Sequence, residues 1–461
     1  MKLAILGAGP GGYVAAIKAA QLGAQVTIVE DTEVGGVCLN KGCIPTKTLV
    51  ASTELLHKSK KLKEYGIDFS GQFTPNLSKI MERKNKVVST LVRGIRSLFK
   101  SWGITLVEGR GRLLSPGEIE VERKNGSTET VEADKIIIAT GSRPAQLPLF
   151  TFDREHILSS DDVVEIQSIP KSIIIIGAGA IGCEYSFIFR ELGSEVTMLE
   201  IMPRALPTEE PEISEELERE LKKNNTKLIT ETKVIDVKKQ QDGIHVYLEK
   251  GREVVAEKLL VSVGRNFNSG GIGLEALDIN TGGKGEIIVN ERMETNREGV
   301  YAVGDVTGGL LYAHVASQQG KVAVMNAMGR NEKIDYGAVP YVLFTYPEIA
   351  SVGLKEYQTV ENGIKTKAGH FQFRALGMPH VKGEITGFVK IVSDEKSDRI
   401  LGAHIIGPHA SDLIHEATLA IKAGLKTKDI AETIHAHPTM SETLMEAAED
   451  VHGEAIHVPK K

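Results

Sequence analysis

Two cysteines five positions apart, Cys38 and Cys43, lie within Gly35-Gly36-Val37-Cys38-Leu39-Asn40-Lys41-Gly42-Cys43-Ile44-Pro45-Thr46-Lys47, and they are two of only three in the chain. Such a pair can form a reversible disulfide, pack as buried structural thiols or supply half of a zinc site. Zinc needs two further ligands at matching spacing, and the one other cysteine, Cys183, stands far off in a glycine-rich turn. On an ideal helix residues 38 and 43 are separated by a rise of about 7.5 Å, beyond the roughly 7 Å a disulfide spans. Gly42 adds backbone freedom, and Pro45 removes the hydrogen bond that the Lys41 carbonyl would accept. The first turns of a helix here are therefore expected to distort enough to close a reversible Cys38–Cys43 bridge.

The segment directly follows an apolar run, a glycine-rich turn and a helical stretch that recur later at a constant offset of 170 residues without a gap, residues 3–30 matching residues 173–200. Gly7, Gly9, Gly12 and Glu30 correspond to Gly177, Gly179, Gly182 and Glu200. In such a βαβ unit the first glycine makes the tight turn, the second lets backbone approach a pyrophosphate at a helix N-terminus, and the third allows close helix–strand packing. A closing acid grips ribose hydroxyls. One such motif is weak, but two in matching context predict two Rossmann units and two dinucleotides. Glu200 favours NAD, because a carboxylate there accepts from the ribose 2′-hydroxyl and repels a 2′-phosphate, with nearby Arg204 as the opposing charge.

Between the copies, residues 75–100 read as a long amphipathic helix whose stripe Val87, Leu91, Ile95 and Leu98 is expected to face the core. Two β-runs ending in glycine, residues 135–141 and 259–264, lead into Arg143-Pro144 and Arg265-Asn266 and look like the crossings into and out of an inserted domain. A strand at 300–303, then Gly304-Asp305 and a helix from about His314, return the chain to the first domain. From Tyr341 onward β-rich segments, including 387–392 and 400–406, followed by helical stretches, predict a third, α+β domain.

At 461 residues there is room for about three domains. A hydrophobic fraction of 41% and a charged fraction of 25% are near the globular average, and no apolar run reaches transmembrane length, so no membrane partner is expected. A formal charge of −6 leaves no basic stripe for nucleic acid. With a first strand starting at Leu3 and too few cysteines for a disulfide framework, the expected location is the cytoplasm or an organelle matrix.

The order of these motifs resembles the pyridine nucleotide-disulfide oxidoreductases over essentially the whole chain, and GGVCLNKGCIPTK is similar to that family's redox-active segment. A second segment, His435-Ala436-His437-Pro438-Thr439-Met440-Ser441-Glu442, is similar to the HxHPTxSE pattern of the members that oxidise dihydrolipoyl groups. The resemblance implies a fold with two Rossmann-like domains, the second inserted in the first, and a C-terminal α+β dimerisation domain. We place the boundaries at 1–147 and 267–337 for the FAD-binding domain, 148–266 for the NAD-binding domain and 338–461 for dimerisation. It implies FAD at Gly7, Gly9, Gly12, Glu30, Lys47, Gly141, Asp305 and Ala313, and NAD at Gly177, Gly179, Gly182, Glu200 and Gly264. Electrons would pass from a dithiol substrate to the disulfide, to flavin and to nicotinamide. Cys38 would be the thiol that meets substrate and Cys43 the one facing the flavin. Lys47, four residues after Cys43, would lie near flavin nitrogen 5, paired with Glu184, where a cation stabilises charge on the reduced ring. Asp305 would hold the ribityl chain, a role compatible with capping a helix.

By the same resemblance His437 is the acid/base, since a dihydrolipoyl thiol must lose its proton before it attacks a disulfide and imidazole titrates near neutrality. Glu442 would orient the ring, although Thr439-x-x-Glu442 also reads as a capping box. His435 lacks a third ligand nearby and is expected to be structural, so no metal is predicted. In the family this histidine arrives from the partner subunit, which implies a homodimer. The implied partners are lipoyl domains of 2-oxo acid dehydrogenase or glycine cleavage systems. Val37 and Lys41 replace the threonine and valine common in the family, a change that bears on redox potential. A glutathione-type reductase is disfavoured by the CVNVGCVPKK form of its signature and by Ala180 where it carries a tyrosine. Mercuric and large thioredoxin reductases are disfavoured by a tail without cysteine. A flavin diaphorase and a non-catalytic flavoprotein adaptor are the remaining alternatives.

Overall fold

The computed structural model describes residues 1–459, and two parallel five-stranded sheets organise its first two-thirds. In the first sheet, Val300–Ala302, Lys135–Ile138, Lys2–Leu6, Gln25–Glu30 and Thr105–Glu108 lie side by side in that order, all parallel. Continuous apolar runs such as Lys135–Ile138, with its three isoleucines buried, suit strands covered on both faces. The second sheet has the order Lys227–Ile229, Glu195–Leu199, Ser172–Ile176, Lys258–Val261 and Ile157–Leu158. Strand Val300–Ala302 returns to the first sheet beside Lys135–Ile138, so the second sheet is an insertion within the first.

The crossings meet each other. Ser142–Pro144 and Arg265–Phe267 pair antiparallel, with Asn266 opposite Arg143, and tie the outgoing chain to the returning one. A third sheet follows the antiparallel order Tyr341–Leu343, Glu348–Gly353, Ile400–Gly407, Phe388–Asp394, Thr366–Gln372. Helices Ala410–Ala423 and Glu442–Asp450 contribute buried Ile414, Ala417, Leu444 and Ala447 to the core of this sheet.

Helix Leu77–Ser101 corrects half of the predicted stripe. Ile95 packs on the first domain's core as expected and Val87 is half-buried, but Leu91 and Leu98 are 42% and 44% exposed, while Lys84, Val92 and Phe99 are buried and Val88 joins Ile95 on the core. Both sets recur at helical spacing, so periodicity alone cannot choose the buried face. The choice is made by what the helix meets. The Lys84 ammonium reaches the Val164 carbonyl at 2.8 Å and Glu165 at 2.6 Å, pinning the helix to the inserted domain.

Candidate active site and nucleotide-binding turns

The two glycine-rich turns repeat each other in atomic detail. Gly7 and Gly177 have φ of 104° and 96°, left-handed values that favour glycine, and a Cβ on either would meet a carbonyl oxygen at 2.3 or 2.6 Å. A Cβ on Gly12 would fall 1.9 Å from the Gly7 carbonyl, and one on Gly182 would fall 2.0 Å from that of Gly177. The middle glycines differ. Nothing lies within 4 Å of a Cβ on Gly179, and only the Gly36 Cα, at 3.9 Å, on Gly9. Their small size leaves open space at the N-termini of helices Pro10–Gln21 and Ala180–Leu192, neither of which has a side-chain cap. These cradles fit a pyrophosphate at each turn.

Glu30 and Glu200 are bonded in the same way. Glu30 accepts from the Ala8 amide at 2.7 Å and from the Thr32 amide and hydroxyl. Glu200 accepts from the Ala178 amide at 2.6 Å and the Met202 amide at 2.8 Å. A carboxylate has about four acceptor sites, so each retains capacity for ribose. Burial, the main influence, raises the Glu30 pKa.

The cysteines are carried on two helices, where the sequence predicted one distorted helix. Cys38 lies in Gly36–Asn40, Cys43 opens Cys43–Ser59, and the chain breaks at Lys41-Gly42. A Cβ on Gly42 would meet the Val37 carbonyl oxygen at 3.2 Å and the Cys38 Cα at 3.4 Å, so glycine lets the two cysteine-bearing segments close on each other. Gly36 in turn lies against Gly9, which sets the thiol pair beside the first nucleotide turn. Both cysteines are free thiols, the reduced form of the predicted bridge.

Their acidities are driven apart. The hydrogen bond with Cys38 and the charge of Lys47 lower the Cys43 thiol to about 7, against burial and Glu184. The same hydrogen bond, with burial, pushes Cys38 well up. Cys43 also stands at the positive end of its helix. Lys47 is held by Glu184, whose two oxygens each lie 2.8 Å from its ammonium. Glu184 is buried, and its Oε1 also accepts from the Phe344 amide at 3.0 Å, while the Phe344 ring lies 5.0 Å from the Lys47 ammonium. Phe344 escaped the sequence reading because nothing around it marks its amide as a ligand of Glu184. Lys41 extends to Asp161 of the inserted domain at 3.6 Å.

Asp305 opens a 3-10 turn, Asp305–Thr307, behind Gly304 and does not cap the following helix, Ala313–Ala327, whose N-cap is Tyr312. Its carboxylate accepts from the Ser142 hydroxyl and lies 3.8 Å from Arg265. Arg265 donates to the Ser142 hydroxyl at 2.6 Å. Gly141, with φ of 69°, immediately precedes Ser142, and Gly264, with φ of 116°, precedes Arg265. The two crossings thus meet at Asp305. Ser142 is a partner that sequence reasoning missed, although its place after a strand-ending glycine was the available signal.

His437 is 76% exposed, and Glu442 Oε1 lies 2.9 Å from its Nδ1. A carboxylate only accepts, so Nδ1 donates to it, and Nε2 is the nitrogen left for a substrate. Glu442 Oε2 accepts from the Thr439 amide at 2.8 Å. Burial raises the Glu442 pKa, but the Thr439 amide and His437 outweigh it and leave the pKa below the usual range. The orienting and backbone-bonding roles therefore coexist, although the helix starts at Glu442 itself and not near Thr439. His435 bonds the Thr433 carbonyl and Glu416, in keeping with a structural role. Among the described residues no hydrogen bond or ring contact joins His437 to the thiol pair within the chain. A mostly apolar cleft of about 860 Å³, lined by Leu55, Tyr65, Phe73 and Tyr346 among others, contains none of the predicted site residues.

Residues 1–320 match the family model described as pyridine nucleotide-disulphide oxidoreductase, and residues 339–448 match its dimerisation domain. The chain is 45% identical to the dihydrolipoyl dehydrogenase of Bacillus subtilis (strain 168), covering 98% of each. It is 44% identical to the dihydrolipoyl dehydrogenase of Thermus scotoductus, covering 99% of this chain and 98% of the other. The crystal structure of LpdA from Mycobacterium tuberculosis superposes with a TM-score of 0.92 at 29% identity, covering 97% of this chain and 99% of that one. Two nucleotide cradles, a thiol pair beside the first of them and full-length similarity agree: the chain belongs to the pyridine nucleotide-disulphide oxidoreductase family.

Proposed function

We propose that the chain oxidises protein-bound dihydrolipoyl groups to lipoyl groups, with FAD and NAD as cofactors, the activity for which the relatives from Bacillus subtilis and Thermus scotoductus are named. The observation that carries this reading is geometric: Cys38 and Cys43 close on each other at Gly42 beside the first nucleotide turn, with Lys47 held over the same helix face by both Glu184 oxygens at 2.8 Å. With the bridge closed, a dihydrolipoyl thiolate attacks Cys38 and expels Cys43, and the more acidic thiol is the better leaving group. The second dihydrolipoyl thiol then attacks the substrate sulfur of the mixed disulfide and releases Cys38, which leaves with that thiol's proton. Lipoyl leaves oxidised, and the cysteines keep its two electrons. FAD would be held at the Gly7-Gly9-Gly12 turn beside the thiol pair and NAD at the Gly177-Gly179-Gly182 turn, and the flavin would supply the two-electron acceptor that links the cysteines to nicotinamide.

The His437 Nε2 takes the proton of the attacking thiol, and Glu442 holds the resulting imidazolium. His437 serves the partner's cysteines across a homodimer. That reading is supported by the dimerisation-domain match, by its own exposure and by Ile434, an apolar residue three positions away that is 97% exposed. Hybrid dimers of one Cys38→Ser chain with one His437→Gln chain test it: one intact site per dimer supports it, and two dead sites overturn it.

The division at 147/148, 266/267 and 337/338 belongs to the same proposal, supported by the paired crossings, and residues 460 and 461 of its last domain lie outside the described ones. Among the described residues no helix is long and apolar enough to cross a membrane. We place the enzyme in the cytoplasm, since three cysteines are too few for a disulfide scaffold, serving 2-oxo acid dehydrogenase or glycine cleavage complexes. The test of function is to mix the protein with dihydrolipoamide and NAD, and separately with glutathione disulfide and NADPH. Appearance of NADH only in the first mixture supports the reading. NADPH oxidation only in the second overturns it.

A further inference from the structure

Residues 201–210 leave the second nucleotide-binding unit immediately after Glu200, and the Met202 amide is bonded to that carboxylate. Arg204, two residues further, carries the only basic side chain of this loop. It is half-buried and folded back on its own loop. One guanidinium nitrogen donates to the carbonyls of Pro207 at 3.0 Å and Glu209 at 3.2 Å, both in the same loop. Its Nε is buried and without a partner among the described residues, so the two loop carbonyls are the seat that holds the guanidinium there.

The far half of the loop is clasped by the third domain. The Ser351 hydroxyl donates to Glu209 at 2.6 Å, and the Lys355 ammonium lies 3.6 Å from the same carboxylate. The Lys390 ammonium donates to Glu210 at 2.6 Å, the Glu356 amide donates to Glu210 at 3.1 Å, and the Tyr357 hydroxyl donates to the Thr208 carbonyl. Glu209 and Glu210 are both buried.

We propose that Arg204 is a latent reader of a 2′-phosphate, kept off the nucleotide by this interdomain clasp, so that NAD is chosen over its 2′-phosphorylated form partly from the third domain. The inference rests on the reading that Glu200 faces the adenosine ribose. A guanidinium released beside Glu200 would offer a phosphate two parallel donors. Folded onto the loop carbonyls, it leaves Glu200 as the dominant charge.

The test measures equilibrium binding of ADP-ribose and of 2′-phospho-ADP-ribose to the FAD-loaded protein by calorimetry. Glu209→Ala and Ser351→Ala, each with and without Arg204→Gln, are compared with the parent. Opening the clasp should raise affinity for the phosphorylated ligand about tenfold, the scale of one charged hydrogen bond. ADP-ribose affinity should hold, and the gain should vanish when Arg204→Gln is added. No gain in a variant that keeps its melting temperature, or a gain that survives Arg204→Gln, would overturn the proposal. Arg204→Gln alone provides a check that leaves the clasp intact: unchanged affinity for the phosphorylated ligand supports sequestration, and a tenfold fall refutes it. Failure of the parent to bind ADP-ribose would instead overturn the reading of Glu200, and the proposal with it.

Discussion

Replacing Glu442 with glutamine separates an orienter of His437 from a mere backbone ligand. The glutamine carbonyl can still accept from the Thr439 amide, now 2.8 Å from Oε2, so the local turn keeps its bond. The amide nitrogen would then face His437 Nδ1, where Oε1 now lies 2.9 Å away. An NH₂ group donates, so it favours the tautomer with the proton on Nε2, the nitrogen that has to receive the substrate proton. The lost charge-assisted bond alone is worth about 1.5–3 kcal/mol, or roughly 10- to 150-fold in turnover. The assay is NADH formation from dihydrolipoamide and NAD in parent and variant, with melting curves as control. Unchanged turnover, or a fall matched by a lowered melting temperature, would refute the dyad and leave Glu442 a structural ligand of Thr439.

Gly179→Ala and Gly182→Ala should behave differently. The first meets nothing within 4 Å, so the melting temperature should hold while NAD affinity falls by titration; the second collides with the Gly177 carbonyl at 2.0 Å and should destabilise the inserted domain. In the reduced enzyme, alkylation of Cys43 followed by mass spectrometry should rise with pH through a midpoint near 7, since the thiolate reacts. Cys38→Ala should move that midpoint up most and Lys47→Met should also raise it, whereas an unmoved midpoint in both would remove the stated cause. Lys390→Met leaves Glu210, Glu212 and Glu356 without the ammonium that now lies 2.6–2.8 Å from each, and unfolding should cost about 3–5 kcal/mol less in denaturant titration.

The repeated turns were legible because sterics leave no alternative at their first and third glycines: any side chain at Gly12 or Gly182 would occupy the space of a carbonyl two angstroms away. The crossings were legible as strands that end in glycine, but their pairing with each other at Asn266 and Arg143 was not, since it joins segments 123 residues apart. The long helix shows the limit of periodicity. Leu91 and Leu98 obey helical spacing as well as Val92 and Phe99 do, and the docking of Lys84 on the Val164 carbonyl fixes which set is buried. Likewise the cysteine spacing suggested a distorted helix, whereas Gly42 breaks it outright.

The chemistry at Cys43 depends on contacts that no local pattern encodes. Lys47 stands four residues from Cys43, but it is held there by Glu184 from the inserted domain, and Glu184 is itself fixed by the Phe344 amide from beyond the second return of the chain. Three segments separated by more than a hundred residues therefore converge on Lys47, whose charge lowers the Cys43 thiol beside the larger effect of the Cys38 hydrogen bond and against Glu184 itself. Resemblance supplied the Lys47–Glu184 pair, while Phe344, Ser142 and the clasp on residues 201–210 emerged only from the folded chain, the first two because an amide or a hydroxyl is not distinguished by composition, the clasp because it pairs Glu209 and Glu210 with residues 142 and 180 positions away. It follows that only the smaller, Lys47-borne part of the Cys43 acidity depends on domain docking, while the larger part, the Cys38 hydrogen bond, is local: Lys47→Met should raise the thiol less than Cys38→Ala does.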